Sequence, residues 1–136
     1  MSRYLLDTNN WIRLLKRRAD AIRHRLDSLD AASVVVCSIV KAELLHGAKK
    51  YGDPEARIAA VAQILRPYAS LPFDDSAAEH YADIRHDLEQ RREIIGPNDL
   101  LIAAICRANS LTLVTTNTAE FRRVADLTVE DWMASA

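Results

Sequence analysis

Cysteine, glycine and proline are scarce in this 136-residue chain, at two, three and four residues. Two cysteines cannot build a disulfide framework. Cys37 and Cys106 both sit in apolar runs, 34–37 and 103–106, and read as buried, reduced thiols. No Cys/His spacing matches a zinc site. So few glycines and prolines leave no low-complexity linker, and neither an internal repeat nor a domain boundary is visible. No apolar run reaches the length of a membrane span. Asp7 falls where the apolar core of a secretory signal would lie, so the expected location is the cytoplasm. Aromatic residues are 6% of the chain, and few lie among the basic residues. Base-stacking preference is therefore not legible.

What is present suits one globular domain spanning residues 1–136. Apolar residues make up 49% and charged residues 27%, enough to offset the entropy of folding. A chain of this length buries roughly two-thirds of its unfolded surface. The net charge of −1 hides an asymmetry. Residues 1–25 carry seven Lys/Arg against two acids, and the rest of the chain is acidic. Arg13, Lys16, Arg17 and Arg18 are the dense part of that basic segment. Such a segment marks either phosphate contact or the solvated face of a helix.

Short β-type runs alternate with longer helical patterns. A short buried strand over 3–6 ends at Asp7. Residues 10–18 read as a helix with an apolar stripe of Trp11, Ile12, Leu14 and Leu15, and residues 20–29 as a second helix. Three consecutive valines make 33–37 a strand buried on both faces. Ser38 is expected to cap a helix running to about residue 50. A break at 52–54 precedes a helix over 55–68, and 71–73 reads as extended. Ser76-Ala77-Ala78-Glu79 has capping-box spacing and opens a helix to about residue 92. Pro97 fits the first turn of a helix to about residue 109. A strand over 111–115, a short helix near 118–123 and a small strand over 127–129 complete the chain. This alternation implies an α/β fold with a parallel sheet and right-handed crossovers.

In such sheets the binding crevice lies outside the carboxyl ends of the strands. Asp7 follows the first strand and Asn117 follows the 111–115 strand. Glu43 lies early in the helix after the valine strand, and Asp99 in the first turn of its own helix. Each has a structural alternative. Asp7 could cap the next helix, Asp99 could complement a helix dipole, and Asn117 could be a turn residue. Glu43 sits between Val40 and Gly47 on one helix face, so it either points at solvent or pairs with a cation. Gly47 costs that helix roughly 1 kcal/mol relative to alanine, which suggests a close approach there. If the acids converge, their mutual repulsion favours a bound cation. An all-oxygen donor set selects Mg²⁺ or Mn²⁺ over zinc. That chemistry suits phosphodiester hydrolysis by a metal-activated water.

The segments Asp7-Thr8-Asn9, Glu43 in its helix, 97–104 (PNDLLIAA) and 113–117 (LVTTN) occur in an order that closely resembles the PIN-domain ribonucleases. The tail 120–124 (EFRRV) followed by 129–132 (VEDW) resembles the VapC-type toxins of bacterial toxin–antitoxin pairs. The resemblance covers essentially the whole chain. It implies a three-layer α/β/α sandwich around a central, mostly parallel sheet, and a Mg²⁺-dependent endoribonuclease acting as a toxin. It implies metal ligation by Asp7, Glu43 and Asp99, with Asn117 at a fourth catalytic position where the family often has Asp. Thr8, Asn9 and Thr115 match supporting positions, and Glu120 stands one turn beyond Asn117. The resemblance also implies an antitoxin partner and a homodimer. The surface around Trp11, Ile12 and Leu15 is a docking candidate, with Trp11 either in the core or an exposed anchor. The competing readings are a phosphatase-like domain with Asp7 as nucleophile, opposed by Asn9 where a second Asp is wanted, and a PIN-fold binding module without turnover.

Overall fold

The computed structural model describes residues 2–133. Five short strands form one parallel sheet in the order β3-β2-β1-β4-β5. They are β1 (Tyr4–Leu6), β2 (Val34–Cys37), β3 (Ala69–Leu71), β4 (Thr112–Val114) and β5 (Thr128–Glu130). The central strand β1 pairs with Val34 and Val35 on one side and with Thr112 to Val114 on the other. The valines of β2 and all of β4 are buried, as expected for strands covered on both faces.

Seven helices cover the sheet: α1 (Thr8–Leu15), α2 (Asp20–Asp27), α3 (Ser38–Ala48), α4 (Pro54–Leu65), α5 (Asp75–Gln90), α6 (Pro97–Ala108) and α7 (Thr118–Phe121). From β1 through β2 to β3 the chain steps one way across the sheet, and from β3 to β4 and β5 it steps back. Right-handed crossovers therefore place α1–α4 on one face and α5–α7 on the other. The reversal falls between β1 and β4. That switch point is where the carboxyl ends of an open parallel sheet leave a crevice.

Several element ends differ from the sequence expectation. Helix α1 begins two residues early, because Asp7 caps it, and it ends at Leu15. Arg17 turns left-handed (φ 55°) and Arg18 N donates to Arg13 O, which closes the helix before residue 18. Ser38 is not the cap of α3. The extended Cys37 holds that position without a side-chain bond. Asp74, not Ser76, caps α5 by accepting from Ala77 N at 2.9 Å. Strand β3 covers 69–71 rather than 71–73, since Pro72 has no N–H for the ladder.

Trp11 settles in the core, with no exposed surface and its ring 5.6 Å from that of Tyr68. Its docking-anchor role is thereby corrected. Truncating a buried Trp costs about 3–5 kcal/mol. The two cysteines are buried and unbridged. No helix among the described residues is long and apolar enough to cross a membrane.

Candidate active site

Asp7 leaves β1 and turns the chain into α1. Its backbone N–H donates to Val114 O at 3.0 Å, which ties it to β4. Its Oδ1 accepts from Asn10 N at 3.3 Å, and its Oδ2 accepts from the Thr115 hydroxyl. The capping role and the crevice placement thus coincide in one residue. Asp7 is 7% exposed. Burial pushes its carboxyl above the ordinary value, against the opposing pull of Thr115, Asn10 and the Arg13 charge.

Glu43 projects from the second turn of α3. Its Oε1 accepts from the Thr8 hydroxyl at 2.5 Å and its Oε2 from Asn98 Nδ2 at 3.3 Å. The carboxylate is half-buried at the cleft. Two neutral donors orient the carboxylate and leave its charge intact. Gly47 does not serve a close approach either, since a Cβ there would meet nothing within 4 Å. It lines the cleft beside Glu43, so the missing side chain leaves space.

Asp99 is the third residue of α6, half-buried behind Pro97 and Asn98. Burial, then the charge and hydrogen bond of Glu120, then Glu43 and Asp7, push its carboxyl up to about 7. Glu120, in α7, is the nearest of those neighbours in effect. Its Oε1 accepts from Gly96 N at 2.9 Å and its Oε2 from the Asn117 amide. Burial works upward on Glu120 but is outweighed by these donors, by Asp99 and by Arg123, which hold it below the ordinary carboxylate range. The two carboxyls therefore titrate as a pair, with Asp99 the harder of the two to ionise. Gly96 permits this closeness, because a Cβ there would stand 3.3 Å from Asp99 Oδ2.

Asp7, Thr8, Asn9, Glu43, Asn98 and Asp99 line one cleft of about 380 Å³, with His46 and Lys50 on its rim. Three distant segments of the chain thus meet at the switch point. Asn117 does not line that cleft. It is exposed, and its amide is spent on Glu120 while its N–H donates to Thr115 Oγ1 at 3.0 Å. Glu120, one turn on, is the carboxylate that stands against Asp99, and Asn117 meets the acids through it. The basic segment also divides. Arg13 joins the network behind Asp7, Lys16 lines a neighbouring groove, and Arg17 and Arg18 are exposed at the end of α1. Asn10, Asn98 and Gly96 carried no sequence signal as site residues; only their closeness in sequence to Asp7 and Asp99 hinted at them.

Among the described residues, no three Asp, Glu, His or Cys side chains converge on one ligand-distance point. The donor set still fits a hard divalent cation. Mg²⁺ keeps several waters and needs only one or two carboxylates plus substrate phosphate. A larger hollow of about 610 Å³ lies by Arg25 and Trp132 and holds none of these acids. An apolar groove of about 520 Å³, walled by Ile12, Leu15, Leu44 and Val61, opens beside the acidic cleft and shares Glu43 and Lys50 with it.

Residues 4–127 match the PIN domain family. The chain is 38% identical over 133 residues to ribonuclease VapC2 of Haemophilus influenzae, covering 98% of this chain and 100% of that protein. It is 35% identical over 132 residues to the tRNA(fMet)-specific endonuclease VapC of Shigella flexneri, covering 97% and 99%. The crystal structure of DNA-bound VapBC from Salmonella typhimurium superposes with a TM-score of 0.91 at 34% identity, covering 97% of this chain and 99% of that one.

Proposed function

Because this chain belongs to the PIN-domain family and is related over its full length to VapC ribonucleases, we propose that it is a metal-dependent endoribonuclease, the toxin of a toxin–antitoxin pair. One observation carries the reading. Asp7, Glu43 and Asp99, separated by dozens of residues, line a single open cleft with Glu120 against Asp99. Mg²⁺, with Mn²⁺ as substitute, is the cation this all-oxygen set selects. When bound it would lower the pKa of an attacking water and stabilise the leaving oxygen. Asp7, Glu43 and Asp99 are the ligands we assign to it.

The protein residues do the rest. Thr115 and Asn10 hold both oxygens of Asp7. Thr8 and Asn98 hold both oxygens of Glu43. Asn117 and Gly96 hold Glu120 beside Asp99. Asp7, Glu43 and Glu120 are thus oriented by neutral donors, which fix geometry without cancelling charge. His46 and Lys50 on the rim offer contacts to an RNA backbone. An Asp7 nucleophile finds no support here, because both carboxylate oxygens are engaged and the group is almost wholly buried.

A cytoplasmic setting fits this role. The Salmonella typhimurium relative is a VapBC assembly, and we assign this chain an antitoxin of that kind and a second copy of itself as partners. The apolar groove beside the cleft offers the partner apolar contact up to the acids. The test is cleavage of RNA by the purified, antitoxin-free chain with Mg²⁺ or Mn²⁺. Initiator tRNA is the first substrate to try, given the specificity in the name of the Shigella flexneri relative. Asp7→Asn and Asp99→Asn should each abolish cleavage and leave a folded protein. Absence of cleavage by the wild type with either metal sinks the reading.

A further inference from the structure

Arg13 behaves unlike its basic neighbours. Asp7, Asn10 and Arg13 stand three residues apart along the start of α1 and share one face. Asn10 is 1% exposed. Its Nδ2 donates to Val114 O at 2.9 Å, and its backbone N–H donates to Asp7 Oδ1 at 3.3 Å. Arg13 Nη1 then donates both to Asn10 Oδ1 at 3.3 Å and to Thr116 Oγ1 at 3.2 Å. Next in the chain, the Thr115 hydroxyl donates to Asp7 Oδ2 and accepts from Asn117 N at 3.0 Å. Asn117 in turn donates to Glu120. Residues 114–116 are therefore fastened one after another to α1 or to its cap Asp7, and Asn117 leads on from Thr115 to the fourth carboxylate.

We propose that Arg13 is a positioning residue for the acidic cleft: by holding Thr116 against Asn10, it fixes Asp7 relative to the Asn117–Glu120 pair. The kinetic readouts of this inference rest on the nuclease reading above, while the loop geometry stands without it. Arg13 does not line the cleft, so direct contact with the cut strand is not what its placement offers. A planar guanidinium reaches a helix acceptor and a loop acceptor at once. The segment it grips leaves the sheet at the end of β4, where connecting backbone opens most readily.

The test compares the full chain with Arg13→Met, Arg13→Lys and Thr116→Val. Three quantities are read: amide hydrogen exchange at Asn117, Mn²⁺ affinity by calorimetry, and kcat and KM for RNA. Arg13→Met should speed exchange at Asn117 and weaken Mn²⁺ binding on the order of 10-fold, the lower end of the usual effect of a lost orienting partner. It should lower kcat with KM nearly unchanged. Arg13→Lys should recover part of each, and Thr116→Val should reproduce the loss while the charge remains. A raised, salt-sensitive KM with kcat and Mn²⁺ affinity unchanged would make Arg13 an RNA contact and overturn the inference. A lower Tm with exchange at Asn117, affinity and kcat unmoved would overturn it too. If the wild type neither binds Mn²⁺ nor cuts RNA, the nuclease reading fails, and exchange at Asn117 still decides for or against Arg13. Should Arg13→Met not fold, Arg13→Lys and Thr116→Val carry the same comparison.

Discussion

The Thr115 hydroxyl donates to Asp7 Oδ2 from 108 residues away in the chain. It is the largest influence holding the Asp7 carboxyl down against burial. Thr115→Val keeps the shape and removes the donor. Metal affinity and cleavage should fall about 10–100-fold, as for other orienting partners of ligands, while Thr115→Ser should stay close to wild type. Wild-type Mn²⁺ affinity in the valine variant would show that Asp7 is held by the capping bond alone.

Asp99 gives the metal-free protein a pH dependence of definite sign. Its folded carboxyl stands at about 7 against an ordinary 3.8. Below 3.8 both folded and unfolded chains hold the proton. Between 3.8 and 7 the unfolded chain has lost it and the folded chain has not, so this contribution to stability drains away as pH rises. Urea unfolding in chelator should show wild type losing more stability from pH 5 to pH 8 than Asp99→Asn. Equal losses would place the Asp99 carboxyl near its ordinary value.

Glu120 is the charge that, after burial, does most to raise Asp99. Glu120→Gln should therefore lower the Asp99 titration midpoint, read by carboxyl carbon NMR in metal-free protein. An unmoved midpoint would leave burial, with the weaker Glu43 and Asp7 charges, as the cause.

Gly96 separates stability from function. Its backbone (φ −57°, ψ 152°) suits alanine before Pro97. The added Cβ would press on the tip of Asp99 at 3.3 Å, a side chain able to shift. Gly96→Ala should leave Tm within a few degrees and weaken Mn²⁺ binding. A large drop in Tm with intact metal affinity would contradict this.

Glycine scarcity has left a stabilising change available. Ser110 closes α6 in the left-handed region (φ 54°), with Leu111 N donating to Cys106 O at 2.9 Å. Ser110 is exposed. Ser110→Gly should stabilise by about 0.5–1 kcal/mol, since only glycine adopts that conformation without steric cost. Denaturant unfolding measures it.

Much of this was legible in the residues. The valine run made β2 buried on both faces, and strand–helix alternation made the sheet parallel. Asp7 and Asp99 stood at positions that this topology turns toward a crevice. Element ends were less legible. Caps at Cys37 and Asp74 depended on where the sheet released the chain, which a local match to Ser38 or Ser76 does not register.

By itself, the sequence determined the order and type of the elements and pointed to three acids that this topology brings to one cleft, because periodicity and strand-end position are local. Only the tertiary structure decided which side chain stands against Asp99. Asn117 and Glu120 are three residues apart, and either could have faced it. Gly96, the carboxylate it grips and the buried Asp7–Thr115 bond chose Glu120. Those partners come from α6, β4 and α7, which share no stretch of chain. Hydrogen bonds between them exist only once the sheet has brought its strand ends together.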